Sequence, residues 1–103
     1  MHTMILEHVD IRIDPAQAPA FEVAIERGVT TCIAQAKGFR GYKVNRSQES
    51  AGRYILMIYW DSVEDHMVGF RQSDAFTQWR AIVGPFFTQP PVMEHLELVC
   101  KSV

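Results

Sequence analysis

The sequence has no run of basic residues. Its ten Lys and Arg are scattered among twelve Asp and Glu, for a formal charge of −2, so the electrostatic footprint of a nucleic-acid binder is missing. No apolar stretch reaches the roughly 20 residues that a membrane-spanning helix needs. The chain does not open on a charged start, an apolar core and a small-residue cleavage site, so a cytoplasmic location is expected. Cysteine is scarce. Cys32 and Cys100 stand far apart and outside any CxxC or Cys/His cluster, and they read as two reduced thiols in apolar surroundings rather than a disulfide framework. A glycine-rich phosphate loop, a nucleophile elbow and an H-E-x-x-H helix are also missing, which removes the commonest nucleotide-binding, serine-hydrolase and zinc-protease readings. No repeat, low-complexity stretch or linker interrupts the 103 residues, and one domain over 1–103 is expected.

What the sequence does hold is ordinary globular material, 48% hydrophobic and 21% charged. Residues 4–13 (MILEHVDIRI) are rich in Ile, Leu and Val and read as a strand that ends at Asp14-Pro15. Asp14, Pro15 and Gln17 suggest a helix start, but Pro19 would cost an interior hydrogen bond, so an irregular turn is expected before a helix beginning near Pro19. Phe21, Ile25, Val29, Cys32, Ile33 and Ala36 then recur at helical spacing up to a C-cap at Gly38. Residues 39–47 and 53–60 form a β-hairpin around QESAG. Ser62 with Asp65, and Ser73-Asp74, begin the two halves of a broken second helix, with Met67 and Phe70 as the apolar side of the first half. Phe76, Trp79, Ile82, Val83 and Phe86 continue in the second half. Gly84-Pro85 closes it, and residues 92–101 form the last strand.

The order β-α-β-β-α-β is the ferredoxin-like pattern of the α+β class, a four-stranded antiparallel sheet with helices on one face. The other face of such a sheet is normally polar. Here strand three is apolar at nearly every position from Tyr54 to Trp60, and strand one carries Met4, Ile5, Leu6, Val9, Ile11 and Ile13. Apolar residues on both faces of a half-covered sheet call for a second cover, and a second copy of the same sheet supplies it. A homodimer through the sheet face, closing a dimeric α+β barrel, is the expected assembly.

At this point the residues resemble a known family. The run from Trp60 to Trp79 (WDSVEDHMVGFRQSDAFTQW), with Gly84-Pro85-Phe86 and Pro91-Val92-Met93-Glu94-His95 after it, looks like the antibiotic biosynthesis monooxygenase domain. Nearly the whole chain follows that family's element order. The resemblance implies a small dimeric barrel with a pocket between sheet and helices. Its implied activities are cofactor-independent oxygenation of aromatic phenols, quinol oxidation and haem degradation. The haem-degrading members place an Asn on strand one, a Trp late in the second helix and an iron-ligating His on the third. This chain has His8, Phe70 and Arg80 there, and an arginine has no free lone pair for iron.

The expected function is therefore a cofactor-independent monooxygenase acting on a small aromatic phenol or quinol. The alternative is a non-catalytic dimeric barrel that binds a small hydrophobic ligand. No cofactor and no metal are expected. His8, inside an apolar strand and of the residue type that most readily exchanges a proton at neutral pH, is the candidate base. Trp60 and Tyr59 are candidate donors at the end of strand three. Phe21, Phe70, Phe76 and Trp79 are candidates for stacking a planar substrate, although helical aromatic stripes usually pack a core. Arg80 is a candidate for holding an anionic group, or for a surface ion pair. His95 is expected beside strand one, near His8, with Glu7, Glu94 or Glu97 close by. His66, next to Glu64 and Asp65, is expected to face solvent.

Overall fold

A computed structural model describes residues 4–102. Its elements are β1 (Ile5–Arg12), α1 (Ala18–Thr31), β2 (Phe39–Arg46), β3 (Arg53–Trp60), a π-helical turn (Asp65–Phe70), α2 (Asp74–Val83) and β4 (Val92–Glu97). The strands form one antiparallel sheet in the order β2-β3-β1-β4. This is the ferredoxin-like α+β architecture that the hydrophobic pattern predicts.

Alternation decides which side chains meet the helices, because successive strand residues point to opposite faces. Val9 and Ile11 of β1, and Tyr54, Leu56, Ile58 and Trp60 of β3, are buried beneath α1 and α2 together with Phe21, Ile25, Val29, Phe70, Trp79 and Val83. The two helices meet where Gly28 lies under the Trp79 indole. A Cβ at Gly28 would come within 2.8 Å of that ring, so the missing side chain is what allows the approach.

Element ends differ from expectation for local reasons. Asp14 does cap a turn, its Oδ1 accepting from Ala16 N at 3.0 Å, but that turn is a short 3₁₀ segment ahead of α1. α1 stops at Thr31 rather than running to Ala36. The hydroxyls of Thr30 and Thr31 bond back to the carbonyls of Glu26 and Arg27, an alternative partner that disfavours further helix. β4 ends at Glu97, which pairs with Ile5 at the start of β1. Leu98 onward therefore has no partner strand among the described residues.

The segment between β3 and α2 is the least regular. Ser62 Oγ accepts from Asp65 N at 3.1 Å, as the capping pattern predicts. The backbone then widens, and Arg71 N donates to His66 O at 2.8 Å, five residues back. Such π turns often occur at functional sites. This one turns His66 and Phe70 into the protein while Val68 stays half exposed. The expectation that His66 faces solvent is corrected: only 2% of its surface is accessible.

Candidate functional site

A cavity of about 470 Å³ lies between the sheet and α2, a volume suited to a small organic ligand. Val9, Ile11, Leu56 and Ile58 form its sheet wall, and Phe70, Phe76 and Trp79 form much of its helical wall. The rings stack in sequence. Trp60 and His66 lie nearly parallel with centroids 5.4 Å apart, and Phe70 meets Phe76 edge-on at 5.7 Å. Arg71 and Arg80 also line the cavity. The Arg71 guanidinium lies 4.8 Å over the Phe76 ring. Neither arginine has an ion-pair partner among the described residues.

The cavity wall carries one buried carboxyl, Glu7. On β1 it has the same parity as Val9 and Ile11, so the alternation that buries those residues also buries it. Trp60 Nε1–H donates to Glu7 Oε1 at 2.9 Å. His66 Nε2 stands 3.3 Å from the same oxygen. Behind His66, its Nδ1 meets His95 Nε2 at 2.8 Å, a distance at which the two rings share one hydrogen. His95 is there because β4 pairs with β1 in a register that sets His95 opposite Glu7. Both contacts of Glu7 fall on Oε1, and no fully buried polar side-chain atom among the described residues lacks a partner. Oε2 is therefore the oxygen that meets the cavity.

Burial sets the protonation of this group. Loss of water pushes the Glu7 carboxyl from the ordinary 4.5 up to about 7, with the Trp60 hydrogen bond and the Arg71 charge holding it partly back. His66 is driven down to about 4 by burial first, then by His95 and the Arg71 charge. Burial also lowers His95. The close Glu7–His66 contact is thus no ion pair at neutral pH: the imidazole is neutral and the carboxyl is near its midpoint. Among the described residues no cluster of three or more His, Cys, Asp or Glu side chains is arranged to hold a metal ion.

The residues singled out in the sequence fall into three groups. Phe70, Phe76, Trp79 and Arg80 line the cavity. Trp60 and His95 sit directly behind it, each bonded to a residue of its wall. His8, Tyr59 and Phe21 lie elsewhere. His8 pairs across the sheet with Met57 and Glu94, and Tyr59 with Leu6 and Gly41; both point to the face away from the helices. Phe21 packs in the core, 4.9 Å from Tyr54 and 5.6 Å from Phe86 by ring centroids. Sequence reasoning named Glu7 only as one of three acids near His95, set His66 in solvent and missed Arg71. Glu7 had a signal, a charged residue in step with Val9 and Ile11. His66 had one too, its four-residue spacing to Phe70, which places both on one helix face.

The family model for antibiotic biosynthesis monooxygenase matches residues 4–82. The chain belongs to this family. A Bordetella bronchiseptica protein assigned to the same family has a crystal structure that superposes with a TM-score of 0.89 at 36% identity, over 95% of this chain and 99% of that one. The Bacillus subtilis protein YczJ, itself uncharacterized, is 30% identical over 94 residues, covering 91% of this chain and 98% of YczJ. The fold also matches a Streptomyces coelicolor monooxygenase, from the gene ActVA-Orf6, solved with the ligand nanaomycin D. That match has a TM-score of 0.83 at 17% identity, over 98% of this chain and 92% of that one.

Proposed function

We propose that this family member is a cofactor-independent monooxygenase of a small aromatic phenol, anthrone or quinol, and that the cavity between sheet and α2 is its active site. The carrying observation is a buried carboxyl near its midpoint at neutral pH, on the wall of an apolar, aromatic-lined cavity. A general base works best with its pKa near the working pH. Glu7 Oε2 takes a proton from the substrate, and the anion left behind reduces dioxygen. For a methylene carbon such as that of an anthrone, one oxygen atom becomes the new carbonyl and the other leaves as water with the two hydrogens. Phe70, Phe76 and Trp79 stack the ring system. Arg71 and Arg80 stabilise the oxyanion that develops on it.

Oxygen uptake with anthrone and a panel of hydroquinones, with ¹⁸O₂ tracing into product, tests the assignment. Uptake well above autoxidation, with label in the new carbonyl where anthrone is the substrate, is the expected result. Quenching of tryptophan fluorescence by these compounds with no oxygen consumption would instead make the cavity a binding site for hydrophobic ligands.

The proposed assembly is a homodimer through the sheet face that the helices leave bare. Leu6, Ile55, Met57 and Tyr59 point to that face. On β4, Val92 is 63% and Leu96 37% exposed, and both have the same outward parity. Light scattering on the eluting protein should give twice the chain mass. A monomer at micromolar concentration contradicts this assembly.

A further inference from the structure

Glu7, His66 and His95 form a continuous line of polar side chains from the cavity to the sheet edge. Glu7 and His66 are buried, and His95 is partly exposed on the edge strand β4. We propose that this line is a proton relay, in which His66 hands the cavity proton to His95 by exchanging one ring tautomer for the other, with no imidazolium formed on the way. The role in turnover rests on the oxygenase reading above. The relay itself is a property of the resting protein.

The geometry sets two end states. In the ionised state, His66 Nε2–H points at the Glu7 carboxylate, His66 Nδ1 accepts from His95 Nε2–H, and His95 Nδ1 is bare. In the protonated state the carboxyl has turned about its Cγ–Cδ bond, so that the oxygen that took the cavity proton stands at the Oε1 position; its O–H points at His66 Nε2, His66 Nδ1–H donates to His95 Nε2, and His95 Nδ1 carries hydrogen. Passing from the second to the first moves three hydrogens one step each: from Oε1 to Nε2, from Nδ1 to His95 Nε2, and from His95 Nδ1 to water. One proton leaves and every ring stays neutral. The 2.8 Å His66–His95 contact is already a hydrogen bond. The 3.3 Å step from Oε1 to Nε2 is slightly beyond the ordinary range, so the carboxyl must lean toward the ring to pass its hydrogen.

The surroundings favour neutral carriers. Trp60 from β3 donates to Glu7 Oε1. Arg71, at the end of the π turn, acts on both Glu7 and His66 with its positive charge and disfavours a second cation. Arg80 of α2 lines the same cavity. On β4 the neighbour of like parity to His95 is Glu97, at the strand's end. Burial holds His66 far below the pH at which Glu7 titrates, so a change in Glu7 is felt by His66 as a change of tautomer, not of charge.

NMR of the ¹⁵N-histidine-labelled protein from pH 5 to 9 tests this directly, since ring nitrogen shifts separate the two tautomers from each other and from the cation. The expected result is a neutral His66 throughout. It exchanges Nδ1–H for Nε2–H as pH rises through about 7, and His95 moves in step. In Glu7→Gln the exchange is absent, and His66 keeps one tautomer population across the range. A single wild-type tautomer from pH 5 to 9 would overturn the relay, since it would put the Glu7 proton on Oε2 alone. Imidazolium at position 66 near neutral pH would overturn it too. The readout needs no substrate, so failure of the relay and failure of the oxygenase assignment are separate results.

Discussion

Glu7→Gln lowers turnover by about 10²- to 10⁴-fold, the usual contribution of a positioned base, while substrate binding changes little. Gln keeps the size of the side chain, and its carbonyl still accepts the Trp60 indole hydrogen that Glu7 Oε1 accepts now. The aromatic wall and the two arginines are untouched, so the loss appears in kcat and KM stays near its original value. Oxygen-uptake kinetics on a substrate found in the panel above measure both. The informative control is His8→Ala. His8 sits next to Glu7 in sequence but points to the opposite face of the sheet, between Met57 and Glu94. If His8 rather than Glu7 were the base, the two variants would exchange outcomes, with the large kcat loss at position 8.

That contrast also shows what the sequence made legible. Strand and helix identities followed from periodicity, and the two-sided apolar character of β1 and β3 was plain. The register of β4 was not, because a slip of one residue exchanges the faces. His95 was expected beside His8; it faces Glu7 instead, and Glu94 faces His8. His8 is the lone histidine among apolar residues, but the polar residue with the parity of the core is its neighbour Glu7. Phe70, Phe76 and Trp79 were legible because an aromatic stripe on a helix must face the sheet. His66 was misplaced because its acidic neighbours Glu64 and Asp65 pointed to solvent and Met67 was taken with Phe70 as the apolar side. His66 stands four residues before Phe70, a spacing that shares a helix face, and both are buried.

Unfolding measured against pH separates the two buried groups. The folded Glu7 carboxyl sits at about 7 rather than 4.5, so the folded state binds the extra proton between those values. Stability from this group is fully present below pH 4.5 and is lost as pH rises through 7. Folded His66 sits at about 4 rather than 6.5, so here the unfolded state binds the extra proton, and stability is lost as pH falls from 6.5 through 4. Each shift corresponds to roughly 3 kcal/mol. Between about pH 4.5 and 6.5 the folded chain carries one proton on Glu7 and the unfolded chain one on the imidazole. The counts match, so the pair adds no slope of its own to the wild-type curve. Single substitutions remove the balance. Burial is the largest cause of both shifts, and a glutamine keeps either position filled, so the direction of each shift is kept when its neighbour is replaced. Relative to the wild type, Glu7→Gln should therefore gain stability as pH rises from 4.5 to 6.5, and His66→Gln should lose it over the same range. The two slopes have opposite sign, and each change is up to about 3 kcal/mol. Exposed pairs such as Asp10 with Arg53, which hold the Asp10 carboxyl below its ordinary value, are common to all three proteins and cancel in the differences. Urea midpoints at several pH values supply the measurement. Variants whose curves run parallel to the wild type would mean that neither side chain changes its proton affinity on folding. Burial would then not be what makes Glu7 a base at neutral pH.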